Sequence, residues 1–184
     1  HHCASGTYKS ETNKAQQASI TRSTARTQIH NLGSNIWQTD FAPMWYVGML
    51  VLVEFADWNG QTRIGYGCSA NGSKENNGRT DSMQYHKGTT AANRTAYGFT
   101  QYRNIEGWWD NVFDWMDGCY YNSNGLNVIK NPAQFSDSAN GVLVGKPVGG
   151  YPKDFAIPTQ SGLGWALYPS ESGGTMTTYV PNYW

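Results

Sequence analysis

The chain has 184 residues, enough for one domain with a sizeable core. Only 14% of the residues are charged, and 13 Lys and Arg balance 13 Asp and Glu. A charge so small and so balanced argues against an electrostatic nucleic-acid binder and against a polybasic membrane binder.

Gly, Asn, Ser and Thr supply more than a third of the chain, and 8 Trp and 12 Tyr outnumber 6 Phe. Aromatics with polar handles on such a background suit loop-heavy folds and contact surfaces, and their abundance disfavours disorder. The cysteines Cys3, Cys68 and Cys119 are odd in number and too widely spaced for a disulfide framework, a zinc site or a redox motif. The longest uncharged apolar run, 41–53, is too short to span a bilayer, so no membrane insertion is expected. The N-terminus, His1-His2-Cys3, is polar and tag-like and does not read as a signal peptide.

Ala18, Ala25, Ile29 and Leu32 recur at helical spacing and predict a first helix over 13–32, with Gly33 as its stop. Arg22, Arg26 and His30 share one face of it. That face reads as solvated, favoured by the helix C-terminal dipole, with an anion site as the alternative. A second helix is predicted over 41–56, with Pro43 in its first turn. Trp45, Met49, Leu52 and Ala56 form one stripe and Tyr46, Leu50 and Val53 the opposite side, so the helix reads as central and buried. Glu54 and Asp57 read as capping or core-pairing acids, with a catalytic carboxylate as the alternative.

After Asn59-Gly60 helical periodicity stops. Residues 67–93 read as a long loop, and loops of that length in compact domains tend to carry function. Cys119-Tyr120-Tyr121, Asn124-Gly125 and Leu126-Asn127-Val128-Ile129 predict a β-hairpin. Further short strands are expected near 62–67, 141–144 and 165–168. The fold class is therefore α+β: two N-terminal helices packed on a small, loop-rich antiparallel β region, in a single domain over 1–184. Trp45, Leu52, Trp109, Phe113 and Trp115 are expected to be buried.

No phosphate loop, dinucleotide fingerprint, zinc-protease helix or nucleophile elbow is present. His86, in Met83-Gln84-Tyr85-His86-Lys87, is the one candidate base, and nothing in the sequence joins it to Cys68 or Cys119 as a nucleophilic pair. The densest segment runs from Tyr102-Arg103-Asn104-Ile105-Glu106-Gly107 through Trp108-Trp109-Asp110-Asn111-Val112-Phe113-Asp114 to Trp115-Met116-Asp117-Gly118. Three readings fit it: a buried aromatic cluster whose acids cap local turns, a carbohydrate platform, and an oxygen-liganded calcium site.

That segment resembles the Tyr-Arg-Gly-Ile-Glu-Asn-Pro-Trp-Gly-Asn-Ile-Trp-Glu-Trp-Val-Asp-Gly signature of a C-type-lectin-like fold. The fold is shared by formylglycine-generating, sulfatase-modifying-type domains and by the variable proteins of diversity-generating retroelements, and it occurs on phage tail fibres and on the surfaces of gut bacteria. The resemblance extends to Ala25-Arg26-Thr27-Gln28-Ile29-His30-Asn31-Leu32-Gly33, to Leu52-Val53-Glu54-Phe55-Ala56-Asp57, to Ile129-Lys130-Asn131-Pro132-Ala133-Gln134-Phe135-Ser136-Asp137 and to Ala166-Leu167-Tyr168-Pro169. Gly107-Trp108-Trp109-Asp110 stands where the family has Asn-Pro-Trp-Gly, and Phe113 and Asp114 stand for Trp and Glu. Gly107 thus lacks the side-chain ligand with which some relatives bind calcium. Asp114 matches their acidic ligand, and Asp110 and Asp114 are the candidate calcium residues. No cysteine follows Cys119, where the enzymes of the family carry their catalytic pair.

The resemblance therefore implies a binding module that catalyses nothing and needs no cofactor beyond that calcium. It would be an adhesion domain of a virion tail or a bacterial surface whose partner is a host cell-surface protein or glycan, with a homotrimer as the expected assembly. A structural virion decoration domain and a sulfatase-modifying-type oxidase are the alternatives. The family's variable binding segment would begin near Tyr179-Val180-Pro181-Asn182-Tyr183-Trp184, where this chain stops. The candidate ligand contacts are Tyr85 and His86 in the long loop and Tyr179, Tyr183 and Trp184 at the C-terminal end, because polar loops on a rigid scaffold are where recognition concentrates.

Overall fold

The computed structural model describes residues 3–64, 76–83, 100–108 and 114–174. Three helices lead: α1 (Arg22–His30), α2 (Phe41–Phe55) and the short α3 (Gly60–Ile64). Three small antiparallel sheets follow. β1 (Gln101–Tyr102) pairs with β2 (Ile105–Glu106). β3 (Cys119–Asn122), β4 (Gly125–Val128) and β5 (Val142–Gly145) form a meander, and β6 (Pro152–Ala156) pairs with β7 (Tyr168–Ser172). The class is α+β, with two substantial helices and small antiparallel sheets.

α1 is shorter than its periodicity predicts. Thr21 stops it on the N-terminal side: its Oγ1 accepts from Thr24 N–H at 3.1 Å, an N-cap that fixes the helix start. Upstream, Asn13 and Ser19 have φ of 59° and 57°, and the chain folds into antiparallel bridges Cys3–Ser10 and Ala4–Gln16. Ala18, counted into the apolar stripe, is exposed. The buried residues of α1 are Ala25 and Ile29.

α2 has the predicted bounds to within one residue. Asp40 caps it, accepting from Ala42 N–H at 2.9 Å, and Pro43 sits in the first turn where its missing N–H costs nothing. Ala56 ends it with φ 48°, ψ 37°. Its buried side is Phe41, Trp45, Gly48 and Val51, with Leu52 half-buried. The helix is not buried all round: Tyr46, Leu50 and Val53 are exposed, and so is Ala56.

The predicted hairpin is present in register, Cys119 opposite Val128 and Asn122 opposite Gly125. The turn residues are Ser123-Asn124, one step earlier than the Asn-Gly pair suggests. Asn124 N–H donates to Asn122 Oδ1 at 2.9 Å, and Gly125 follows at φ 130°. A Cβ at Gly125 would stand 2.1 Å from the carbonyl oxygen of Gly145 on β5, so this strand start requires glycine for its conformation and for the close approach. The strand expected near 141–144 is β5, and that near 165–168 begins only at Tyr168 as β7. Of the strand expected near 62–67, residues 62–64 are instead the end of α3, where Ile64 is fully buried against Val51 and Tyr102, and 65–67 lie outside the described residues.

Two apolar clusters result. Phe41, Cys119, Leu126, Val128, Val144, Leu163 and Ala166 join the α2 start to the β3–β4–β5 sheet. Val51, Ile64 and Tyr102, flanked by Val47 and Phe55, join the α2 end to β1. Burying each large side chain contributes about 1.5–3 kcal/mol, which makes α2 the common spine of both clusters. Trp45 is buried as predicted, its Nε1 donating to Trp165 O at 2.6 Å. Trp115 is not: it is 54% exposed, held by a bond from Nε1 to Ile20 O. Among the described residues of that segment Trp108 is the buried tryptophan, and Trp109 and Phe113 lie outside the described residues.

Candidate functional site

Among the described residues of the signature segment, Tyr102, Arg103, Glu106 and Asp117 are engaged in holding the fold. Arg26 of α1 clasps the buried carboxylate of Asp117, with Nε–Oδ2 at 2.5 Å and Nη2–Oδ1 at 2.7 Å. Its Nη2 also reaches Asp137 at 2.7 Å. Arg22 donates to Asp137 at 2.9 Å and to the carbonyls of Met116 and Cys119. Burial pushes the Asp137 carboxyl up, but its bonds to Arg26 and Arg22 outweigh that and hold it below the usual range. The α1 arginines are therefore neither a solvated face nor a vacant anion site. His30, the third residue of that face, packs tilted against Trp37 at 4.5 Å between ring centroids.

Glu106 is 4% exposed and accepts from Gly78 N–H, Thr80 N–H and Thr80 Oγ1 at 2.7, 2.7 and 2.8 Å, so it pins the stretch 76–83 to β2. Glu54 accepts from Tyr102 Oη at 2.7 Å and from Arg103 Nη2 at 3.0 Å, so it pairs a core tyrosine from an exposed position rather than within the core. Burial, and then the neighbouring Glu54, push the Tyr102 hydroxyl up to about 12. Asp57 accepts from Asn59 N–H and Arg63 Nε, closing the turn into α3.

Of the residues predicted to carry binding, Tyr85, His86, Tyr179, Tyr183 and Trp184 all lie outside the described residues, as do Asp110 and Cys68. Asp114 is exposed. Among the described residues no group of three or more His, Cys, Asp or Glu is placed to hold a metal ion. Cys3 and Cys119 are free thiols, and burial pushes the Cys119 thiol up to about 11, away from nucleophilic character.

Sequence reasoning missed a cleft of about 300 Å³ at the start of α2. Its walls are Asp40, the cap of α2, and Ala42 in its first turn, Lys130, Pro132 and Phe135 after β4, and Trp165 before β7. Asn131 shapes the Lys130–Phe135 wall: its side chain caps the 3₁₀ turn Pro132–Gln134 by accepting from Ala133 N–H at 3.1 Å. Phe135 lies against Gly118, where an added Cβ would come within 3.0 Å of the ring. Lys130 Nζ donates to Ser161 O, which ties this wall to the loop carrying Trp165. The α2 N-terminus offers the cleft no spare N–H. Phe41 N–H donates to Asp117 O at 2.9 Å, Ala42 N–H is taken by the cap, and Pro43 has none. Burial, with Asp117 adding to it, pushes the Asp40 carboxyl above its ordinary range despite the Ala42 bond.

An aromatic row leads out of the cleft. Trp165 packs on Phe41 at 5.8 Å between centroids and is stacked on Tyr46 at 5.4 Å, and Tyr46 is half exposed on the surface of α2. The Asn131-Pro132 pair was the sequence signal for the fixed turn. Only the fold joins it to Asp40 and Trp165.

No protein-family model matches this chain, and neither a curated protein nor a solved structure matches it.

Proposed function

We propose that this chain is a C-type-lectin-like adhesion domain, displayed on a virion tail or a bacterial surface, that binds a host surface ligand without catalysis. The observation that carries this reading is the division of labour among side chains. Glu106 and Asp117 of the signature segment, with Arg103 and the α1 arginines, are consumed in structural staples, while Trp165 and Tyr46 run from a cleft to the surface. Aromatic side chains with few rotatable bonds supply contact area at low entropic cost. The buried Cys119 thiol supports binding over cysteine-based oxidation.

The test is cell binding by the fluorescent full chain, read by flow cytometry on a panel of gut bacteria and mammalian cells. Saturable binding that Tyr46→Ser weakens at least tenfold, with the melting temperature kept, is the expected result. No saturable binding to any cell type would overturn the reading.

A further inference from the structure

Resting on the adhesion reading, we propose that the cleft between the α2 start and the Lys130–Phe135 wall receives a single neutral pyranose at the end of a glycan. Size is the first argument. About 300 Å³ lies at the small end of ligand pockets, room for one sugar ring rather than for a folded epitope.

The chemistry of the walls is the second. Asp40 spends Oδ1 on the helix cap and keeps Oδ2 as an acceptor. Lys130 spends one of its three N–H donors on Ser161 O. Asp40 and Lys130 both line the cleft, one residue of each sign, so its lining carries no net charge to attract an ion, and a cationic or an anionic ligand would meet one like-charged neighbour. An apolar peptide side chain would desolvate both groups and pair neither, at a cost to binding. A pyranose has hydroxyl donors for Asp40, hydroxyl acceptors for Lys130, and an apolar C–H face for the Phe135 and Trp165 rings.

The third argument is continuity. Tyr46, stacked on Trp165, extends the aromatic row outward, where the next sugar of a chain would lie. The walls are set before any ligand arrives, by the Asn131 cap, the Phe135–Gly118 packing and the Lys130–Ser161 tie.

The experiment is saturation-transfer NMR on the full chain with methyl glycosides of glucose, galactose, mannose and N-acetylglucosamine as probes, alongside the cell-binding assay. At least one glycoside should show transfer with a millimolar dissociation constant. Ala42→Gln, which adds a side chain to the cleft wall from the first turn of α2, should weaken that binding at least tenfold. Lys130→Met, which leaves the helix untouched, should weaken it severalfold. Transfer from no glycoside, or transfer indifferent to both variants, overturns the proposal. If cells are still bound while no glycoside binds, the adhesion reading stands and the cleft proposal falls, and competition by a peptide would point to a protein ligand.

Discussion

Arg26 and Asp117 meet as a two-pronged pair, with both carboxylate oxygens of Asp117 accepting from one guanidinium, although the residues stand on α1 and at the mouth of β3. Asp117 is 1% exposed, and its backbone continues the bond network: its N–H donates to Thr39 O and its C=O accepts from Phe41 N–H. One residue thus connects α1, the α2 cap and the first strand of the meander. A planar fork suits this geometry, and a lysine there would keep the charge while losing the two parallel bonds.

Breaking that pair from one side leaves a buried carboxylate without its partner. Arg26→Met is expected to cost about 3–5 kcal/mol in urea unfolding. Arg26→Lys should recover only part of that loss. A cost under about 1 kcal/mol for Arg26→Met would show that Asp117 is held by its backbone bonds alone.

A second expectation concerns pH. The Asp40 carboxyl stands above its ordinary range in the folded state, so the native chain holds that proton more tightly than the unfolded one. Stability from this group is therefore full at low pH and falls as pH rises from the ordinary carboxylate range through the folded value. Asn is as good an N-cap as Asp. Asp40→Asn should therefore raise the melting temperature at pH 7, and the gain should vanish near pH 3. An equal effect at both pH values would mean that the cap, not burial of the charge, controls this site.

Where the sequence was legible, the signal was local and strong. Asp40 and Pro43 mark the α2 start within a turn of each other, and the hairpin is written in Tyr120-Tyr121 and Leu126-Asn127-Val128 around a polar turn. Where it misled, a tertiary contact or a cap overrode a pattern. The α1 stripe ran back to Ala18 because alanine spacing cannot register the Thr21 cap or the left-handed Ser19. The arginine face of α1 looked solvated because Asp117 and Asp137 lie about ninety to one hundred and fifteen positions away in the chain. The cleft was invisible for the same reason: Asp40, Lys130 and Trp165 come from three separated segments.

The tryptophans should separate by burial. Trp45→Ala is expected to cost about 3–5 kcal/mol, as for a core aromatic. Trp115 is half exposed and holds one bond to Ile20 O, so Trp115→Ala should cost only about 1–2 kcal/mol. Chemical unfolding of the two variants side by side decides it. Equal losses would mean that the Trp115 ring contributes as a core residue does.

Gly125→Ala should destabilise the chain by more than about 2 kcal/mol, because the new methyl group meets Gly145 O and the backbone sits at φ 130°. The β4–β5 pairing is the contact that must give. A variant with unchanged thermal stability would show that β5 can move away from the hairpin freely.

Glu106 gives the last expectation, a local one. Its carboxylate accepts three bonds from Gly78 and Thr80, and both Glu106 and Thr80 are buried. Bonds to a charged acceptor contribute about 1.5–3 kcal/mol each, more than neutral ones. Glu106→Gln keeps the shape and removes the charge, and one of its terminal atoms becomes a donor facing N–H groups that are donors too. The stretch 76–83 should then open far more often than the β3–β4 hairpin, whose ladder does not involve Glu106. Hydrogen exchange should show the Gly78 and Thr80 amides at least tenfold faster in Glu106→Gln, with the Cys119–Val128 ladder unchanged. Faster exchange across both regions alike would place Glu106 in the global unfolding unit rather than in a loop staple.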